Sequence, residues 1–193
     1  VPVITVLGNI DHQYSDAIDF KKPRGKKYWK WAWEIDKQIP NLLKKYKNIK
    51  RFDYSFVKFG NFIFIGGQGG TSPGRVKSKA YKKQRNILDN LFKRFEKENK
   101  QRKVIFVTHN VPYNTKIDKI GMKAHEKVRG KHYGSKLIRR ILERYQPMLH
   151  FGGHIHEAKG KDKIRHNQIK WLKAALDIGI PLESFLIIEW DMK

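Results

Sequence analysis

Val104-Ile105-Phe106-Val107-Thr108-His109-Asn110-Val111-Pro112 is the stretch around which the rest of the chain can be organised. The residues from Val104 to Thr108 are uncharged β-formers, which predicts a strand over 104–108 buried on both faces. A histidine follows at its C-terminal end, where open α/β sheets place their ligands. A second apolar run predicts a strand over 148–152 and leads into Phe151-Gly152-Gly153-His154-Ile155-His156-Glu157. Two histidines there are separated by one residue, and Gly152-Gly153 permits a turn that aims both the same way. Neutral imidazole is the commonest protein metal ligand, although a bare H-x-H also describes ordinary loop histidines. A third strand is predicted over 3–7 and runs into Gly8-Asn9-Ile10-Asp11. Three strands ending in Asn or His can converge on one point at a sheet edge.

The segments between them supply the architecture. Residues 28–47 read as one or two helices interrupted near Pro40. Strands over 52–59 and 62–65 flank Gly60-Asn61, a hairpin signal in reversed order. Ile87, Leu88, Leu91, Phe92 and Phe95 recur at helical spacing and predict a long amphipathic helix over 78–99. A loop over 110–130 carries Asp118, His125 and Glu126, and His132 lies just beyond it. Loops of that length are usually functional or mobile. His132 opens a helix predicted over 134–144, where it either touches substrate or serves as a cap or surface residue. Late strands are predicted over 169–174 and 184–190. His12, His150 and His166 read as structural or solvent residues. Strands alternating with helices predict an α/β fold with a mostly parallel sheet, in one domain spanning 1–193.

At this point the chain resembles the calcineurin-like metallophosphoesterases. Gly8-Asn9-Ile10-Asp11, Thr108-His109 and Gly153-His154-Ile155-His156 look like that family's later motifs. The stretch from Thr108 to Asp118, then His132-Tyr133-Gly134-Ser135-Lys136, Gln146-Pro147 and Gly160, is similar to the Icc-related predicted phosphoesterases of archaea. The resemblance implies a sandwich of two packed β-sheets flanked by helices. It also implies a dinuclear site for divalent metal (Mn, Zn, Fe or Ni). By motif Asn9, His109 and His154 would serve one metal and His156 the other, with His109 and His132 as catalytic candidates. The activity implied is metal-dependent hydrolysis of a phosphodiester or phosphomonoester. The family's Asp-x-His and Gly-Asp motifs, which lie upstream, are not in this chain. The expectation is therefore a natural N-terminal segment bearing them, on which enzyme activity depends. Ile10 stands where the family usually has histidine, which removes one candidate proton donor.

Charge suggests a different partner. Lys and Arg number 42 against 18 Asp and Glu, a formal net charge of +24. Such an excess favours nucleic acid or anionic surfaces, although an AT-rich genome also enriches Lys. Lys21, Lys22, Arg24, Lys26, Lys27 and Lys30 lie beside Tyr28, Trp29, Trp31 and Trp33. Cations interleaved with aromatics can hold phosphates and stack bases. The alternative expectation is therefore a catalytically degenerate member of the same fold. It would bind nucleic acid, RNA ahead of DNA, within a ribosome-associated or larger ribonucleoprotein assembly. No apolar run approaches the ~20 residues of a membrane span. The chain has no cysteine, which excludes thiolate metal sites and fits a cytoplasmic protein.

Overall fold

The computed structural model describes residues 3–8, 40–41, 43–68, 76–155, 160, 162 and 164. The predicted late strands, and the helix predicted before residue 40, lie outside them. The described residues form two sheets. Strands β1 (Val3–Thr5) and β2 (Ile49–Arg51) pair in parallel, with Val3 opposite Ile49. Strands β3 (Phe56–Phe59), β4 (Phe62–Gly67), β5 (Val104–Asn110) and β6 (Leu149–Gly153) form a second sheet in that order. The two meet at Asp53, which bridges to Gly66 of β4 while its carboxylate accepts from the Leu7 N–H at 2.7 Å.

The hairpin signal is realised: β3 and β4 are antiparallel, and Gly60 turns between them at φ 54°. The strand expected over 52–59 is divided, however. Tyr54 takes φ 48°, and the chain only becomes a strand again at Phe56. Strand β2 was not expected, because three residues with two lysine or arginine side chains carry no apolar signature.

β4, β5 and β6 run parallel, each joined to the next by a helical crossover. Helix α1 (Lys79–Arg94) starts at Ser78, whose hydroxyl accepts from the Tyr81 N–H. The single helix predicted over 78–99 is broken. Phe95 leaves helical geometry at φ −108°, and α2 (Glu96–Lys100) begins after it. The periodicity does not announce this break. Phe95 is 3% exposed and meets the Phe56 ring edge-on at 4.6 Å, so a tertiary contact ends the helix. Helix α3 (Lys136–Tyr145) ends at Gln146, which takes a left-handed conformation just ahead of Pro147.

Both long helices cover one face of the sheet. Tyr81, Leu88, Phe92 and Phe95, with Leu137, Ile138, Ile141 and Leu142, pack with Ile63, Ile65, Val104 and Phe106. Ile105 points the other way and is also buried, so β5 is covered on both faces as expected. Tyr145 of α3 stacks on Phe92 of α1 at 4.8 Å and donates its hydroxyl to Asp89 at 2.8 Å. The architecture is α/β with mixed sheets flanked by helices. Among the described residues no helix is long and apolar enough to cross a membrane.

Candidate metal centre

His109 and His154 lie at the C-terminal ends of the two adjacent parallel strands β5 and β6. His109 Nε2 is 3.0 Å from His154 Nδ1, with the rings edge-to-face at 4.9 Å. Two departures from regular strand geometry bring them together. The first is in the ladder. Val107 pairs with Phe151 and Asn110 with Gly153, so β5 advances three residues while β6 advances two. That single extra residue is a bulge, and bulges re-aim side chains at strand ends. The second is at His154, where the chain leaves β6 at φ 78°. Left-handed backbone is uncommon outside glycine, though histidine is among the residues that tolerate it better.

Neither Gly152 nor Gly153 takes a left-handed conformation, and the turn expected to aim His154 and His156 the same way involves His156, outside the described residues. The left-handed residue is His154 itself, and Gly152 serves close approach instead. A Cβ on Gly152 would lie 2.8 Å from the Asn110 carbonyl oxygen. The bulge is also fastened from below. Thr108 Oγ1 donates to the Asn110 carbonyl at 2.6 Å and lies 2.8 Å from His150 Nε2. A hydroxyl has one hydrogen, so His150 Nε2–H is the donor of the second bond. His150 is therefore a neutral structural residue, and burial pushes its pKa down to about 3.

The histidine pair is within hydrogen-bond distance, and the same separation is compatible with two ligands of one divalent cation. Imidazole nitrogens bind such ions at about 2.0–2.1 Å, so two ligands of one ion stand roughly 3 Å apart. The observed separation matches that span. Asn9 and His156, the other two expected ligands, lie outside the described residues. Among the described residues no group of three or more His, Asp or Glu side chains converges to hold a metal.

A second pair, histidine with aspartate, occupies the loop after β5. His132 Nδ1 lies 2.6 Å from Asp118 Oδ1, and the Asp118 side chain is fully buried. The same carboxylate accepts from the Asn114 and Thr115 N–H groups at 2.8 Å each and from Gly134 N–H at 3.0 Å. Burial pushes this carboxyl up, but His132 and the three backbone donors outweigh it and hold the pKa below the ordinary value. The loop is thus ordered around one anion. Sequence reading named both residues without pairing them, since a 14-residue separation inside a loop has no period to betray it. The candidate RNA contacts Lys21, Lys22, Arg24, Lys26, Lys27, Lys30 and Trp31 lie outside the described residues.

A family model described as calcineurin-like phosphoesterase matches residues 1–158. Among curated proteins none matches the chain. One solved crystal structure is 18% identical, with a TM-score of 0.48, covering 82% of this chain and 75% of its own. A crystal structure from Thermus thermophilus is 14% identical, with a TM-score of 0.37. That match covers 62% of this chain and 48% of the Thermus chain.

Proposed function

The chain belongs to the calcineurin-like phosphoesterase family, and from that premise we propose that it hydrolyses a phosphodiester or phosphomonoester at a dinuclear metal centre. The family membership supports a metal-dependent phosphoesterase. The observation that carries the finer reading is the 3.0 Å approach of His109 Nε2 and His154 Nδ1 at the mouth of the parallel strands. In this reading those nitrogens hold one divalent cation together with Asn9, and His156 serves a second. Divalent metal bound there would supply Lewis-acid stabilisation of the phosphate and an activated water. The protein's part is to fix the ligands. The Thr108–Asn110 bond and the His150 donor hold the bulge, and the bulge holds His109.

Elemental analysis and hydrolysis of an aryl phosphodiester test this reading. His109→Ala and His154→Ala should each lose the bound metal and at least ~10²-fold in rate. Metal retained in both variants would sink it.

We keep a second reading, nucleic-acid contact, because of one feature of α1. Its solvent face presents Lys79, Lys82, Lys83, Asn86, Asn90, Lys93 and Arg94, with no carboxylate among them. RNA held there through those five cations would lose roughly 10²- to 10³-fold in affinity between 50 and 200 mM salt. An affinity indifferent to salt would exclude phosphate contacts as its source.

A further inference from the structure

We propose that His132, held by the buried Asp118 carboxylate, is the group that protonates the leaving oxygen of the phosphoester. The proposal rests on the phosphoesterase reading above and adds a residue to it.

The Asp118 side chain is fully buried; its Oδ2 accepts from the Asn114 and Gly134 N–H groups, and its Oδ1 accepts from the Thr115 N–H and meets His132 Nδ1. A carboxylate is acceptor-only, so Nδ1 must carry a hydrogen and donate it. This fixes the imidazole's orientation and turns Nε2 away from the carboxylate. His132 keeps about a third of its side-chain surface exposed, while the Asp118 side chain that Nδ1 meets is fully buried. Such a ring, gripped at one nitrogen with the other turned away from the carboxylate, is arranged for proton transfer at Nε2.

The placement is toward the metal centre's end of the sheet. The segment bearing His132 is stitched to the chain just beyond His109. Ser135 N–H donates to Val111 O at 2.8 Å, Tyr113 N–H donates to Ser135 O at 3.1 Å, and Pro112 and Ser135 form a parallel bridge. Gly134 makes this contact possible, because a Cβ there would lie 2.4 Å from the Pro112 carbonyl oxygen. The Tyr113 ring is bordered by the His132 ring at 6.0 Å and by Lys136 Nζ at 5.2 Å. An imidazole and an ammonium around one aromatic ring suit an anionic ester with an organic leaving group. Position 10 is Ile and has no proton to give.

The step balances simply. A water oxygen forms the new P–O bond as the ester P–O bond breaks. The donor is the imidazolium form of His132, with Nδ1–H on Asp118 and a second hydrogen on Nε2. The departing oxygen takes the Nε2 proton and leaves as an alcohol, and the ring becomes neutral with its hydrogen on Nδ1. His132 then regains a proton from the one released by the attacking water.

The discriminating variant is His132→Asn. Asparagine's amide nitrogen falls near Nδ1, so the bond to Asp118 and the loop can survive while the Nε2 proton is lost. Two esters are compared. A nitrophenyl phosphodiester has a leaving group that departs without protonation, whereas an alkyl phosphodiester does not. His132→Asn should lose ~10²-fold or more in kcat on the alkyl ester. It should lose only a few-fold on the nitrophenyl ester, with unchanged metal content and melting temperature. In the unmodified protein, ring-nitrogen NMR should show a His132 Nδ1–H signal that survives slow exchange and disappears in the variant. Equal losses on both esters, or no such signal, would overturn the proposal while leaving the phosphoesterase reading intact. A metal-loaded wild-type chain inactive on both esters would overturn the two together. If His132→Asn does not fold, His132→Gln and the NMR signal of the unmodified chain decide the matter.

Discussion

The two histidine-bearing pairs are built by opposite means. His109 and His154 stand on adjacent strands, aimed by a bulge and one left-handed residue, and meet nitrogen to nitrogen. His132 and Asp118 stand in a loop without regular strands, aimed by backbone donors that converge on a buried carboxylate. In the first pair the fold exists without the histidines and merely displays them. In the second, the anion is what the loop folds around. Display and construction should respond differently to the same kind of mutation.

The largest expected effect tests that contrast directly. Asp118→Ala strands two buried N–H donors and a third, from Asn114, that is partly buried, and should cost about 3–5 kcal/mol of unfolding free energy in urea melts. His109→Ala in the same assay should cost under about 1 kcal/mol, because its ring is partly exposed and ends a strand that Phe106 and Ile105 already anchor. Comparable losses in both would erase the distinction.

A smaller effect separates the two regions by pH. His150, behind the strand pair, has its pKa lowered to about 3 by burial. It stays neutral in the fold where the unfolded chain, with a pKa near 6.5, takes up a proton. Its contribution is therefore complete above about pH 6.5 and is lost as pH falls toward 3, with a slope of at most about 1.4 kcal/mol per pH unit. Asp118 has a lowered carboxyl pKa. Its contribution is present above its unfolded value of about 3.9 and is lost only as pH falls through the folded one. Urea melts from pH 7 to 3 should show the first window flatten in His150→Gln and the second persist. A slope unchanged in His150→Gln would mean that another group titrates there.

What sequence could foretell follows the same division. Uninterrupted runs such as Val104–Thr108 announce a doubly buried strand, and a histidine at its end announces where to look. Helix α1 is legible from Ile87, Leu88, Leu91 and Phe92, but its end is not, because Phe95 continues the period and only the Phe56 contact breaks it. At the end of β6 the left-handed residue is His154, and Gly152 marks a close approach to Asn110, a role glycine takes as readily as reversal. The Asp118 hub was invisible because its partners at 114, 115, 132 and 134 meet only when the loop closes. Histidines at the strand ends could be anticipated from the sequence, whereas the pairing of Asp118 with His132 needed the structure.

The extra residue between Val107 and Asn110 also governs how this site can change over time. A strand has two faces, and dropping one residue exchanges them for everything downstream. Shortening the end of β5 by a single codon would not loosen a loop. It would hand His109's place to a neighbour and turn the imidazole away from His154. Point substitutions can tune this centre gradually, but a length change there is an all-or-none event. A chain shortened by one residue between Val107 and Asn110 should therefore lose the approach of His109 to His154 altogether.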